Sequence, residues 1–394
     1  MALSFRETRS GGRHMESVSF SKGLEGVIAA ASDICRIDGN EGRLYYRGYS
    51  IEDLAAHSSF EEVTYLLLNE HLPDKQELEN FSARMRRSRD LDPHILDMIR
   101  HFPPDGKPME LLQAVVSYLS GYVEHKIQHS ATCDCRNTLH QVVQMASVVA
   151  AYYRFREGKE YIKPDMGLSH GGNFLYMMRG TRPEPWEDAI MDTSLVLHAE
   201  HGFNASTFTA RVVASTLSTC YSSISAAVGA LYGSLHGGAN EAVLRMLQEI
   251  GTIDNLEAWF RKTMEKKQKV MGYGHRIYKT KDPRAVIMEG FLKTLSEKRN
   301  DFTDYNMLKK LEEIAAHVLG SRDDPVYPNV DFFSGSVFKL LGIPSYLFTP
   351  IFAVGRVSGW LAHILEQRKD NRLYRPMSLY NGPDPRPYLY IGER

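Results

Sequence analysis

The chain has 394 residues, 43% of them hydrophobic and 24% charged, with a formal net charge of -1 at pH 7. That length exceeds what one hydrophobic core usually serves and predicts two domains. The near-zero charge leaves no basic footprint for nucleic acid or an acidic membrane surface, so an anionic ligand must be met by a local cluster. No apolar run approaches the roughly 20 residues of a membrane span, and the N-terminus lacks the apolar core of a signal peptide. Four cysteines in so long a chain give no disulfide framework and fit a reducing compartment, which points to the cytoplasm.

Residues 1–22 carry Arg6, Arg9 and Arg13 against Glu7, a faint likeness to a mitochondrial presequence. Ser10-Gly11-Gly12 breaks any amphipathic helix there, so a disordered leader is expected. From Ile34 to Arg47 two alternating runs flank a turn at Asp38-Gly39-Asn40, which predicts a β-hairpin. From Ile51 to about Tyr153 the apolar spacing turns helical, with polar breaks such as Pro103-Pro104-Asp105-Gly106. No alternation of strand and helix appears; the class is all-α, and a doubly wound nucleotide-binding fold is argued against. His125, His129, Cys133, Cys135 and His140 lie close enough together to suggest a metal site. Their Cys-x-Cys spacing matches no standard structural zinc pattern, and a solvated helix end explains them as well.

From Ile190 to Leu235 the chain is apolar and rich in Ala, Ser and Thr, as in a closely packed buried helical pair. His236 follows, in a glycine-bounded loop just before a helix whose Val243, Leu244, Leu247 and Ile250 share one stripe until Gly251. The helix dipole there disfavours imidazolium and favours a neutral, donating histidine. Between Met271 and Arg284, Gly272 and Gly274 flank a tyrosine just before His275. They let the backbone approach a ligand and present its N–H groups beside a residue that exchanges protons near neutral pH. Asp282-Pro283-Arg284 then halts the local structure and fixes an arginine whose fork suits a carboxylate; a structural turn with a surface histidine is the alternative for the whole stretch.

Asp331 precedes Phe332 and Phe333, and reads either as a helix N-cap or as a poorly hydrated carboxylate, which is the stronger base. Thr349-Pro350 predicts a cap and a first helical residue for a helix to about Arg368. Arg356, four residues from Phe352 and from Trp360, lies on an apolar face, as a buried salt bridge or as an anion-binding group. From Asn371 periodicity ends, and an extended tail with Arg372 and Arg375 is expected to lie over another surface. With His201 added to His236 and His275, the inventory is three histidines, the carboxylate of Asp331 and three arginines, Arg284, Arg356 and Arg375. It fits acid–base work on carbon in a small polyanionic substrate, since no Walker-type loop is present.

Five further blocks accompany the Met271–Arg284 stretch: His198-Ala-Glu-His201-Gly-Phe-Asn-Ala-Ser206, Gly233-Ser-Leu-His236-Gly-Gly-Ala-Asn-Glu241, Asn329-Val-Asp331-Phe-Phe-Ser-Gly335, Ala353-Val-Gly-Arg356 and Asn371-Arg-Leu-Tyr-Arg375-Pro. In this order they resemble the citrate synthase signature, nearly from Gly23 onward, in its shorter prokaryotic form. The resemblance implies a two-domain all-α fold with one small N-terminal β-hairpin. Its large domain would span 23–237 plus 343–394, and 238–342 would form a small domain closing over the active site. It implies condensation of acetyl-CoA with oxaloacetate, then hydrolysis of citryl-CoA, at the entry to the tricarboxylic acid cycle and without a metal cofactor. By the matched motifs Asp331 is the base, His236 the donor to the thioester carbonyl and His275 the acid at the oxaloacetate carbonyl. His201, Arg284 and Arg356 would hold oxaloacetate, Arg375 would reach the second subunit of a homodimer, and Gly272, Gly274 and Lys279 would contact coenzyme A. The Ile190–Leu235 pair would build the dimer interface. The 2-methylcitrate synthases, which take propionyl-CoA, share every one of these motifs, so acyl preference stays open. A helical interaction scaffold without catalysis and a metal enzyme built on the His/Cys set are the readings from other classes.

Overall fold

The computed structural model describes residues 21–122, 139–321 and 325–394. Most of the expected leader, and His125, His129, Cys133 and Cys135 of the candidate metal set, lie outside the described residues. The chain divides into two compact units, Met1–Asp33 and Ile34–Arg394. The described part of the first holds a single 3-10 turn, Lys22–Leu24.

In the second unit three short strands form one antiparallel sheet in the order β1 (Cys35–Asp38), β2 (Arg43–Tyr46) and β3 (Tyr49–Ser50). β1 and β2 are the expected hairpin, in register from Cys35↔Tyr46 to Asp38↔Arg43; β3 adds two residues that the sequence pattern does not announce. At the tip, the Asp38 carboxylate accepts the N–H groups of Asn40 (3.1 Å) and Glu41 (3.0 Å), and Gly42 at φ +66° closes the turn.

Helices follow: α1 (Ile51–His57), α2 (Phe60–Asn69), α3 (Lys75–Arg87), α4 (Pro93–Arg100), α5 (Pro108–Leu119) and α6 (Leu139–Arg156). Then come α7 (His170–Arg179), α8 (Pro185–His198), α9 (Ala205–Ser215) and α10 (Cys220–Tyr232). α11 (Ala239–Ile250), α12 (Leu256–Glu265), α13 (Pro283–Arg299), α14 (Thr303–Leu319) and α15 (Asp331–Leu340) lead to α16 (Phe348–Lys369). Many starts are written in the sequence. Ser50, Ser59, Asp74, Ser169, Asn204 and Thr219 each accept a first-turn N–H, worth about 1 kcal/mol apiece.

α16 is the axis of the bundle and packs against α2, α6, α8, α9 and α10. Its Phe348, Trp360, Leu361 and Ile364 are fully buried. With its lead-in, Ser345–Lys369 is long and apolar enough to cross a membrane by length and composition, which corrects the expectation that no run comes near that; burial on all sides marks it as a core helix. It starts at Phe348, not after a Thr349 cap, because the 3-10 turn Ser345–Leu347 runs directly into it. Pro350 is tolerated because its missing N–H falls among the first four, which have no intrahelical partner. α9 and α10 are the expected close pair: Ser206, Ala210 and Ala214 on one and Ser223 and Ala227 on the other are buried. Cys220, at the start of α10, is disulfide-bonded where free thiols were expected, with its partner outside the described residues; Cys35 is a free thiol.

Candidate active site

Gly355 and Gly359 lie one turn apart on α16 and let its backbone rest on the end of α8. A Cβ at Gly355 would fall 3.0 Å from Leu195 O, and one at Gly359 would run into Ala199 O. This approach carries Arg356, only 1% exposed, to His198 O, which accepts from its Nε at 2.7 Å. Among the described residues no carboxylate pairs with Arg356, so the structural salt bridge is not what holds it. Burial weakens its hold on the proton, against the pull of Glu200. A buried guanidinium with donors to spare is a seat for an anion.

Arg284 is the second buried arginine of this neighbourhood. Asp282-Pro283-Arg284 does not halt structure but opens the 17-residue α13, with Asp282 as N-cap and Pro283 in the first turn. The same carboxylate pairs back onto Arg284 through Nε (3.0 Å) and Nη2 (2.7 Å). Burial opposes the Arg284 charge, and Asp282 outweighs it, so the group stays cationic. His201 adjoins: its Nε2 is 3.2 Å from the Tyr278 hydroxyl, and its ring centroid is 5.0 Å from that of His275. Burial, then Arg284, His275 and Arg356, push its pKa well below the usual histidine value, so His201 is neutral.

The loop before His275 is stitched to the segment before α15. Gly274 N donates to Tyr327 O (2.9 Å), Asn329 N to Gly272 O (2.8 Å) and Asn329 Nδ2 to Gly274 O (2.9 Å). Gly272, at φ +77°, packs so closely that a Cβ would fall 2.7 Å from Phe332 Cα. The Gly274 N–H expected to face a ligand is therefore engaged inside the protein, and the glycines serve the approach of two site segments.

Two histidines take backbone N–H groups on one ring nitrogen. His275 Nδ1 accepts from Ile277 N (3.1 Å) and Tyr278 N (3.3 Å), which places its proton on Nε2. His236 Nε2 accepts from Ser206 N (3.3 Å) and lies 2.8 Å from Ser206 Oγ; with that hydroxyl donating to the ring, its proton is on Nδ1. Burial pushes both pKa values down to about 4, so near neutral pH each is an uncharged imidazole, and in these tautomers its one N–H meets no protein acceptor among the described residues. Asp331 is the first residue of α15. Its N–H donates to Asn329 Oδ1 (3.0 Å), and its carboxylate accepts no hydrogen bond among the described residues, so it is not the cap. Burial pushes its pKa up to about 6, against the lowering pull of Arg284 and Arg356.

The structure thus brings His201, His236, His275, Arg284, Asp331 and Arg356 into one electrostatic neighbourhood. Lys279 is exposed on the rim, with its N–H on Gly39 O at 2.8 Å. Arg375 is exposed on the tail, whose start is tied to α9 by Tyr374 N on Ser215 Oγ (3.1 Å). His140 lies on α6 against the Tyr221 hydroxyl, and among the described residues no group of three or more His, Cys, Asp or Glu could hold a metal. Sequence reasoning missed Tyr278, Ser206 and the Asp282 partner of Arg284. Their signal was proximity, since each lies inside or beside a motif already singled out.

Two buried arginines, two neutral donating histidines and a carboxylate with a raised pKa, on an all-α bundle, define an enzyme that moves protons at carbon beside an anionic substrate. The family described as "Citrate synthase, C-terminal domain" matches residues 23–377. A citrate synthase from Synechocystis is 43% identical over 95% of this chain and 94% of its own, and a 2-methylcitrate synthase from Corynebacterium glutamicum is 38% identical over 96% and 100%. A solved ternary complex of citrate synthase from Thermoplasma acidophilum with carboxymethyl coenzyme A and oxaloacetate superposes with a TM-score of 0.89 at 35% identity, covering 95% of this chain and 99% of that one. This chain belongs to the citrate synthase family and is an acyltransferase that converts the acyl group into alkyl on transfer.

Proposed function

We propose that this enzyme condenses acetyl-CoA with oxaloacetate and hydrolyses the resulting citryl-CoA. The observation that carries the reading is the pairing of an Asp331 carboxylate that has no hydrogen-bond donor among the described residues with two histidines that each have one ring nitrogen engaged, by Ser206 or by loop N–H groups, leaving the other for substrate. Asp331 takes a methyl proton from the thioester. His236 Nδ1–H holds the carbonyl oxygen where negative charge develops. As the carbon–carbon bond forms, His275 Nε2–H supports the oxaloacetate oxygen, whose carboxylates are held by Arg284, Arg356 and His201. Lys279 and the Gly272–Gly274 loop border the coenzyme A side. The rise of kcat/KM with pH should be centred near pH 6, because the base works only when ionised; the histidines, neutral above about pH 4, should add no limb near neutrality. A midpoint near 4 in a pH–rate profile would remove Asp331 from the role.

Residues 238–342 act as a small domain closing on 23–237 plus 343–394, so Arg284 and Arg356 reach oxaloacetate from opposite sides. Closure completes the thioester site, which makes binding ordered. Isothermal titration should show carboxymethyl coenzyme A binding at least ~10-fold tighter with oxaloacetate present; equal affinity with and without it would contradict the reading.

The enzyme works as a homodimer in which Arg375 serves the partner's site. The tail supports this: Met377, Tyr380, Tyr388 and Ile391 are each more than 70% exposed in the single chain, a surface that asks for cover. Asp331→Ala and Arg375→Ala proteins, each nearly inactive, should regain about a quarter of wild-type activity after random subunit exchange, since half the dimers then carry one intact site. No recovery despite proven exchange would place Arg375 in its own chain's site.

A further inference from the structure

We propose that Gly39, at the tip of the β1–β2 hairpin, is a positioning residue that clamps the peptide unit fixing the tautomer of His275. The inference rests on the reading of His275 as the donor to the oxaloacetate carbonyl. Gly39 O accepts from Lys279 N at 2.8 Å. On its other side the hairpin lies directly on Ile277: a Cβ at Gly39 would meet Ile277 O head-on and fall 2.7 Å from Ile277 C and 3.1 Å from its Cγ2. Gly42 extends the clamp, since a Cβ there would run into Thr280 Oγ1 and sit 3.2 Å from Lys281 O. Backbone φ at Gly39 is not in the left-handed region, so the catalytic loop, not the turn, is what requires a glycine at this position.

The chemical consequence follows from peptide planarity. Ile277 C=O and Tyr278 N–H belong to one rigid unit, and that N–H, with the N–H of Ile277, donates to His275 Nδ1. Pushing Ile277 O aside tilts the Tyr278 N–H off the ring. Nothing else among the described residues binds either ring nitrogen. The remaining groups facing His275 are the His201 and Tyr278 rings, at 5.0 and 4.7 Å between centroids, and the charges of Arg284 and Asp282. With the peptide tilted, the proton is free to move to Nδ1, and Nε2 becomes an acceptor where the reaction needs a donor.

The test compares Gly39→Ala with Gly48→Ala. Gly48 sits at φ +89° in the turn between β2 and β3, and a Cβ there would meet nothing within 4 Å, so alanine strains the same small sheet without touching the loop. Nitrogen NMR of histidine-labelled protein should show His275 as the Nε2–H tautomer in the wild type and in Gly48→Ala, and a mixture in Gly39→Ala. With both substrates, Gly39→Ala should lose kcat by about 10- to 100-fold, with the KM for oxaloacetate changed by less than about threefold, the signature of a sub-ångström to ångström misplacement. Gly48→Ala should lower the melting temperature and leave kcat within about twofold. An unchanged tautomer in Gly39→Ala, or an equal loss of kcat in both variants, would overturn the proposal. A tautomer shift with normal kcat would support the clamp and overturn the donor role of His275.

Discussion

Asp331→Ala is expected to lower kcat by at least ~10²–10⁴-fold, the usual worth of a positioned base, while oxaloacetate still binds. The carboxylate has no hydrogen-bond donor among the described residues and starts a helix flanked by the buried rings of Phe332 and Phe333. Poor hydration raises its basicity, and the same desolvation carries a stability cost. The folded-state pKa of about 6 lies above the usual carboxylate value, so the folded protein binds more protons than the unfolded chain between about pH 4 and 6, and stability falls as pH rises through that window. Asp331→Asn should therefore melt higher than wild type at pH 7, with the gain vanishing below about pH 4. Stopped-flow kinetics and pH-dependent melting check both halves. Near-normal turnover in Asp331→Ala would assign the base elsewhere, and an unchanged melting point in Asp331→Asn would contradict the desolvation.

The second large effect is at His236. Its Nδ1–H is the donor proposed for the thioester oxygen, so His236→Ala is expected to cost about 10²–10³ in kcat. The supporting set is specific: Ser206 N donates to Nε2, while Ser206 Oγ accepts from Trp360 Nε1 (3.2 Å) and lies 2.8 Å from both His236 Nε2 and Asn204 Oδ1. Removing the ring leaves that set intact, and the fold should survive. Exchange of the thioester methyl protons with solvent deuterium, followed by NMR in the presence of an inert oxaloacetate analogue, isolates enolisation. It should fall as far as kcat does. Wild-type exchange in His236→Ala would mean that the donor serves a later step.

The helical class, the hairpin and the chemistry-bearing blocks were legible because each has a local cause. Capping serines and aspartates, the period of Val243, Leu244, Leu247 and Ile250 and the Asp38-Gly39 turn act within a few residues. Long-range geometry was not legible. The spacing of Asp282 and Arg284 did not distinguish the end of a loop from the start of α13. Gly272 and Gly274 looked ready for a ligand, yet their neighbours are Phe332 and Tyr327, more than fifty residues on in sequence. Arg356 is instructive in another way: an arginine on an apolar helix face announces a buried partner, but only the structure shows that the partner is a carbonyl, His198 O, with no carboxylate paired to it among the described residues.

Release of free coenzyme A thiol, followed spectrophotometrically with oxaloacetate and either acetyl-CoA or propionyl-CoA, tests the central claim most directly. The expected result is release that requires oxaloacetate, with acetyl-CoA the better substrate; the two thioesters differ by one methylene, worth about 1–3 kcal/mol in a fitted pocket. Thiol release from neither thioester, or release at the same rate without oxaloacetate, would contradict it.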